Sequence, residues 1–334
     1  MFFFEAVPWT AWAMAIGVLI LLMVLNEVGR INKWTGIVMW VIIPIILTIF
    51  VWPQTSGFDK GVPTSNWFQW AKTYSALAGC IIFWGLRFFP KIQKIKWYYT
   101  LPPLILAINI MEAVVREFQI YFLYNGVEVV VDGMTYMGGS WNLFNAVAGI
   151  LNILTICGWF GIIISKDKTK DMIWPDMMWF WIIAYDLWNF AYLYNCVTDR
   201  AVYGGLILLA SCTIPAFFIK KGAWLQHRAS TLAIWMMIVM CLPTFFTEGE
   251  FAIHSTHNPA AFWTISIIAF LFNVGVAVFQ VYTIIKKKRN PITGELYTDL
   301  SSYKKIYDAN IDPNGTPSPA ALEKASKEKV ASNL

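Results

Sequence analysis

Asp186 is the residue of this sequence whose surroundings most call for a chemical explanation. It stands in Trp179-Phe-Trp-Ile-Ile-Ala-Tyr185-Asp186-Leu-Trp188-Asn189-Phe-Ala-Tyr192, with no basic residue within a turn on either side. An ionised side chain at the centre of a lipid-spanning helix costs roughly 2.5–3.5 kcal/mol on insertion scales, so such a residue is first a site hypothesis. A carboxylate among aromatic rings can hold an organic ammonium by ion pairing and cation–π attraction, with Tyr185, Trp188 and Tyr192 as walls. It can also carry a proton, because desolvation favours the neutral acid. The structural alternative is a carboxyl satisfied by Asn189 or an indole donor inside the bundle.

A second constellation lies in Asn109-Ile-Met-Glu112-Ala-Val-Val-Arg116-Glu117-Phe-Gln119. Asn109, Glu112, Arg116 and Gln119 are spaced by three, four and three, which puts them on one helical face. Read functionally, they form a charged stripe in a polar cavity, with Glu112 binding a cation or proton. Read structurally, Glu112 and Arg116 are an internal ion pair that cancels its own cost. Counting ~1.5 Å per residue from the helix ends, Asn109, Asn152, Asp186 and Asn273 fall near the bilayer midplane, where transporters hold substrate. Asn142, Asn145, Gly149 and Asn152 form a further stripe, and Asn273 and Gln280 are one heptad apart. Isolated amides of this kind also serve simply to join helices.

Glu248-Gly-Glu250-Phe-Ala-Ile-His254-Ser-Thr-His257 gathers two carboxylates and two imidazoles. On a helical turn His254 and His257 could share a divalent metal with Glu248 or Glu250, but no third nitrogen ligand is in view. No phosphate-binding glycine loop, no Ser-His-Asp pattern and no cysteine-rich metal motif occurs. A retinal-type Schiff base would need a buried lysine. The last apolar run has none before Lys286, and Lys72 lies near the end of its helix. No cofactor is expected. Cys80, Cys157, Cys196, Cys212 and Cys241 show no pairing framework and suit packing.

These residues are positioned by apolar runs long enough to cross a ~30 Å hydrocarbon layer. The runs are Trp9–Val28, Trp34–Trp52, Trp67–Phe89, Trp97–Phe122, Trp141–Ser165, Trp174–Cys196, Val202–Ile219, Ser230–Thr247 and Ala261–Ile285. Trp34, Trp67, Trp97, Tyr98, Trp141 and Trp174 mark their edges, as interfacial aromatics do. Pro44, Pro102, Pro103, Pro215 and Pro243 fall within or near helices and can kink them. Between Tyr124 and Met134 an alternating pattern with turn residues predicts a short hairpin over the bundle.

Basic residues occupy every other connection: Arg30 and Lys33; Arg87, Lys91, Lys94 and Lys96; Lys166, Lys168 and Lys170; Lys220, Lys221 and Arg228; then Lys286 to Arg289. The remaining connections carry Asp59 with Lys60, Glu128 and Asp132, Asp199 with Arg200, and the Glu/His loop. The positive-inside rule then puts the N-terminus outside and the C-terminus in the cytoplasm. The expectation is an all-α polytopic bundle of about nine transmembrane helices over residues 1–289. A largely mobile cytoplasmic tail is expected over 290–334, with a weak charged helix from Pro317 to Val330.

Composition agrees with this assignment. Of 334 residues 58% are hydrophobic and 13% charged, where a soluble domain has about 25% charged. The net charge of +5 comes with no basic nucleic-acid motif, so nucleic acid is not an expected partner. The expected partners are the lipid bilayer, a small molecule and protons. The first functional expectation is a proton-coupled secondary transporter of a small cationic or zwitterionic, even aromatic, molecule in a bacterial plasma membrane. The alternatives are a membrane-embedded enzyme acting on a lipid substrate and a membrane ligand sensor or assembly subunit.

Overall fold

Lipid offers a peptide group no hydrogen-bond partner, so apolar runs of this length fold as helices that satisfy their own backbones. The computed structural model describes residues 2–131 and 134–310, and these are mostly helical. Helix α1 spans Trp9–Arg30, α2 Lys33–Thr55, α3 Trp67–Phe88 and α4 Leu101–Tyr124. A hairpin of β1 (Glu128–Val131) and β2 (Met134–Met137) follows, as the alternation predicts, and Asp132 lies outside the described residues. Then come α5 (Ser140–Leu154), the small strands β3 (Ile163–Ile164) and β4 (Met172–Ile173), and α6 (Trp179–Cys196). The chain continues through α7 (Thr198–Phe218), α8 (Trp224–Cys241), α9 (Pro259–Lys287) and a short α10 (Ser301–Asn310).

Among the described residues, five helices are long and apolar enough to cross a membrane: α1, α2, α4 with its lead-in turn from Lys96, α7 and α9. The other long helices are more polar or shorter for a physical reason. Helices α6 and α8 are mostly buried against protein and carry Asp186, Asn189 and Asn195, and Gln226, His227 and Arg228. A helix enclosed by other helices need not be apolar all round.

Two boundaries depart from the sequence pattern. The fifth run, expected to be helical from Trp141 to Ser165, stops at Leu154, so it is roughly 22 Å long at ~1.5 Å per residue. Gly158 then turns at φ +64°, and a Cβ there would meet Asp176 Cβ at 2.6 Å. The β3–β4 hairpin completes the connection. The eighth helix starts at Trp224 rather than Ser230 and ends at Cys241, and an irregular loop runs on to Asn258. In α2, wide i→i+5 turns at Val38–Ile42 and Leu47–Val51 flank Pro44, which cannot donate its own backbone bond.

The helices form two packed groups. Helices α4, α5, α6 and α9 contribute most of one apolar core, including Ile110, Ala146, Ala184 and Ala269. Parts of α1, α2, α3, α7 and α8 form another, including Leu22, Trp40, Ala76, Tyr203 and Trp235.

The connections gather at two ends. At the basic end Arg30 Nη2 meets Asp171 Oδ2 at 2.6 Å, and Arg87 Nη2 donates to Thr169 O at 2.7 Å and Arg30 O at 2.9 Å. Gln226 Nε2 also donates to Asp171, Trp174 N to Gly222 O, and Lys220 pairs with Asp167. Burial works against the Asp171 charge, but the hydrogen bonds and charge of Arg30, with Arg87 beside it, hold the carboxyl below its ordinary range. The segment after Asn290, marked by composition as tail, docks here as far as Asn310. Asp176 accepts from the backbone N–H of Leu296 and Tyr297, and Lys166 N donates to Asn310 O. Residues 311–334, with the expected Pro317–Val330 helix, lie outside the described residues. At the other end, Phe4 bridges to Ser255, Tyr194 Oη donates to Phe3 O at 2.6 Å, and Thr198 Oγ1 donates to Thr135 O at 2.6 Å.

Candidate functional site

Where the two helix groups meet, α3, α4, α6, α7 and α8 leave a cavity of about 110 Å³ between them. Its polar lining comes from Gln69, Lys72 and Ser75 of α3, Asn109 of α4, Tyr185, Asn189 and Tyr192 of α6, Arg200 of α7 and Arg228 of α8. The remainder is apolar, with Phe68, Phe83, Leu208, Trp235 and Met236 among the walls. The spacing of Tyr185, Asn189 and Tyr192 by four and three is what keeps them on one face of α6. The opening stretch of α7, Ala201–Ile207, is a wide-turn segment that brings Gly204 to the cavity wall.

The charges on this wall are all positive. Lys72 Nζ is engaged by Glu112 Oε2 at 2.9 Å and Asn109 Oδ1 at 2.7 Å, so its charge is compensated. Arg228 is 6% exposed and Arg200 4%, and among the described residues neither has a carboxylate within ion-pair distance. Arg228 Nε donates to Tyr185 Oη and its Nη2 to Asn189 Oδ1, both at 3.3 Å, while Nη1 has no partner. Arg200 Nη2 donates to Pro243 O at 2.8 Å, and its Nε has no partner. Among the described residues, the hydrogen bonds of these two buried guanidinium groups thus go to neutral oxygens, and Arg228 also lies 5.9 Å from the Tyr185 ring centroid.

The expected site residues divide around this cavity. Asn109, Asn189, Tyr185 and Tyr192 line it. Asp186 does not. It lies close enough to feel the field of Arg228, but its Oδ2 accepts from Thr213 Oγ1 at 2.7 Å, and Oδ1 is without a partner. Trp188 is fully buried behind the wall and donates to Asn145 O. Glu112 and Arg116 do not form the expected pair along their helix. Glu112 turns across to Lys72, while Arg116 donates to Gln119 Oε1 at 2.7 Å and lies 5.1 Å from the Tyr136 ring centroid. Both line a crevice of about 300 Å³ between α3 and α4, which shares Phe68 and Lys72 with the cavity. Asn152 is fully buried with neither amide atom partnered, and Asn273 donates to Ala184 O and so joins α9 to α6.

The Glu/His loop does not assemble a metal centre. Among the described residues no three His, Cys, Asp or Glu side chains converge suitably. His254 Nδ1 instead meets Asp199 Oδ1 at 3.3 Å, His257 reaches Glu128 and Asp199 at 3.8 and 3.9 Å, and Glu248 and Glu250 are exposed. The hydrogen bond to Asp199 raises the affinity of His254 for its proton, partly offset by burial. All five cysteines are free.

Residues 5–309 match the model of a family described as of unknown function, DUF5692. The chain belongs to that family. No curated protein and no solved structure matches it. The matched stretch runs from the segment before α1 into α10, and so takes in both ends of the bundle and the whole cavity wall.

Three residues central to the geometry stand outside the sequence-derived set: Arg228, Arg200 and Glu117. Arg228 and Arg200 read as loop charges because α8 and α7 begin earlier than hydropathy suggests. Gly222, at φ +85°, and the interfacial Trp224 were the available signals for an earlier start of α8. Glu117 is fully buried, and its position next to Arg116 hid it.

Proposed function

We propose that this protein is a membrane transporter for a small organic anion, which binds in the cavity between the two helix groups. The observation that carries this is the pair of buried guanidinium groups, Arg228 and Arg200, at a cavity whose other polar lining is neutral apart from the paired Lys72 and whose wall contains no Asp or Glu among the described residues. A buried guanidinium with no carboxylate in direct contact is costly, and a ligand carboxylate would supply that contact. Arginine suits that role, because its planar fork matches a carboxylate with two parallel hydrogen bonds. The rings of Tyr185, Tyr192 and Trp235 and the aliphatic walls favour a short apolar or aromatic body behind the charged group.

This changes the sign of the substrate expected from Asp186 alone. An ammonium ligand needs a carboxylate on the wall, and Asp186 faces Thr213 while Glu112 is taken by Lys72. The crevice between α3 and α4 supplies a lateral approach to the cavity past Phe68 and Lys72. We further infer nine crossings with the N-terminus outside and the C-terminus in the cytoplasm. Support comes from the gathering of alternate connections at opposite ends and from the basic residues concentrated at one of them.

The test is a thermal-shift panel on protein purified in nanodiscs, comparing aromatic and short aliphatic carboxylates with amines, amino acids and divalent metals. A bound ligand must raise apparent stability by mass action. Carboxylates are expected to give the shifts, and Arg228→Gln to weaken them by on the order of 30-fold or more, the lower end of losses for an unpaired buried charge. Uptake of the same anion into proteoliposomes separates a transporter from a protein that only binds. Shifts with amines alone, retained in Arg228→Gln, would reject the anion assignment.

A further inference from the structure

A second polar centre lies within the α4–α5–α6–α9 group and has no part in the cavity. Its focus is Glu117, fully buried on α4, with no Lys, Arg or His within ion-pair distance among the described residues. Its neighbour Arg116 points away to Gln119. Among the described residues the groups that reach the carboxylate are neutral: Asn142 Nδ2 at 2.5 Å from Oε2, Asn145 Nδ2 and Asn195 Nδ2 at 2.6 and 3.4 Å from Oε1, and the Cys196 thiol beside them. Around them stand further oxygens. Asn195 Nδ2 also donates to Ser266 Oγ at 3.0 Å, and Asn145 Nδ2 to Trp188 O at 3.3 Å.

Two of these oxygens are orphaned. Asn145 Oδ1 and Asn195 Oδ1 are buried with no hydrogen-bond partner, on side chains that are themselves fully buried. A buried acceptor left unmade costs about 1–3 kcal/mol, so two in one cluster require a reason. A proton on Glu117 would neutralise the carboxylate but supply one O–H, enough for only one of the two amide oxygens. A hard cation beside Glu117 would balance the carboxylate and, with the two amides turned, take both oxygens as ligands. The two ends of an asparagine amide are nearly isosteric, so a half-turn of Asn145 and Asn195 would replace each nitrogen near Glu117 with an oxygen. Trp188 O and Ser266 Oγ would then complete a set of oxygen donors from four helices. Asn142 would keep its orientation, because its Oδ1 already accepts from Gly139 N at 2.9 Å.

We propose that Glu117, Asn145, Asn195, Ser266 and the carbonyl of Trp188 form a binding site for a monovalent hard cation of sodium size. One carboxylate with neutral oxygens matches a single positive charge, whereas a divalent ion would retain net charge in an apolar surround. Helix α6 links this site to the cavity. Tyr185, Asn189 and Tyr192 of α6 line the cavity, and Trp188 and Asn195 of the same helix contact the Glu117 cluster. An ion that draws Trp188 and Asn195 toward Glu117 therefore acts on the helix that also presents the anion's ligands. The role of coupling ion rests on the transport reading; the site itself does not.

The experiment measures apparent Tm of the full chain in nanodiscs against NaCl, with choline chloride holding ionic strength constant. A saturable rise in sodium and none in choline is expected, with the rise lost in Glu117→Gln. Ser266→Ala removes one peripheral ligand and is expected to fold if Glu117→Gln does not, with sodium affinity lowered about tenfold. A rise equal in choline, or stability that follows pH with no response to sodium, overturns the site. So does a sodium response unchanged in both variants. The same titration on Arg228→Gln separates this inference from the anion assignment: sodium stabilisation should persist there while carboxylate shifts disappear.

Discussion

Asp171 shows at the scale of one residue how the basic end is held. It is fully buried and accepts from Arg30, Gln226 and Thr169 while lying 3.6 Å from Arg87 Nη2. Two cations from α1 and α3 thus share one carboxylate. Removing that charge leaves Arg87 without its carboxylate and Arg30 with Glu27 alone, and Asp171→Asn should cost about 3–5 kcal/mol at neutral pH. Because the folded-state affinity for a proton is below that of an ordinary aspartate, the contribution is complete above an unfolded pKa of about 3.9 and is lost as pH falls below it. Acid unfolding monitored between pH 5 and pH 2 should therefore be steeper in wild type than in Asp171→Asn. Equal slopes would mean that the carboxylate contributes nothing to acid sensitivity. At this scale, sequence reading found isolated polar residues but not their partners. Asn109, Asn189, Tyr185 and Tyr192 were legible because spacing puts them on shared helix faces. The turn of Asp186 toward Thr213 and of Glu112 toward Lys72 was not, because both contacts cross between helices whose register hydropathy does not encode.

Element boundaries decided which charges entered the site. With α8 beginning at Trp224, Arg228 lies a full turn inside the helix; with a start at Ser230 it would lie in a loop. Apolar periodicity reports lipid-facing positions, and α8, enclosed by neighbours, has little reason to display it. Helix α5 illustrates the same limit. It is short, and its Asn142, Asn145 and Asn152 all face protein, while Gly149 allows α4 and α6 to come close. A Cβ at Gly149 would meet Val114 Cγ2 at 2.5 Å and Trp188 Nε1 at 2.6 Å. Close helix approach at a small residue is a common way to gain packing in membranes. Gly149→Val should then separate these helices and lower stability by about 1–3 kcal/mol through overpacking. Thermal unfolding in detergent measures it, and an unchanged Tm would show that α5 is not clamped there. Because Trp188 also belongs to the cation cluster, the same variant should weaken sodium stabilisation.

For the whole molecule, the weakest link in a nine-crossing topology is α5, which at fifteen residues is too short to cross alone. If the proposed nine crossings hold, the contacts at the two ends say which residues make that passage. The hairpin β1–β2 before α5 binds Thr198 and Asp199 at the end that holds the N-terminal segment Phe3–Phe4. The connection after α5 binds Arg30, Arg87 and Lys220 at the opposite end, through Asp171, Thr169 and Asp167. Passage between the ends is therefore made by α5 together with the irregular segment 155–165, whose backbone groups are enclosed by protein. Such non-helical backbone at membrane depth is tolerated only in that setting. A topology with α5 re-entrant would put both connections on one side and invert every later loop. Single cysteines at Lys60, Lys168, Glu250 and Lys288 in a background lacking the five native thiols distinguish the two. In intact cells an impermeant maleimide should label positions 60 and 250 at once, and 168 and 288 only after permeabilisation. Labelling of 168 together with 60, or of 288 before permeabilisation, would remove the ninth crossing and the cytoplasmic position of the docked α10 with it.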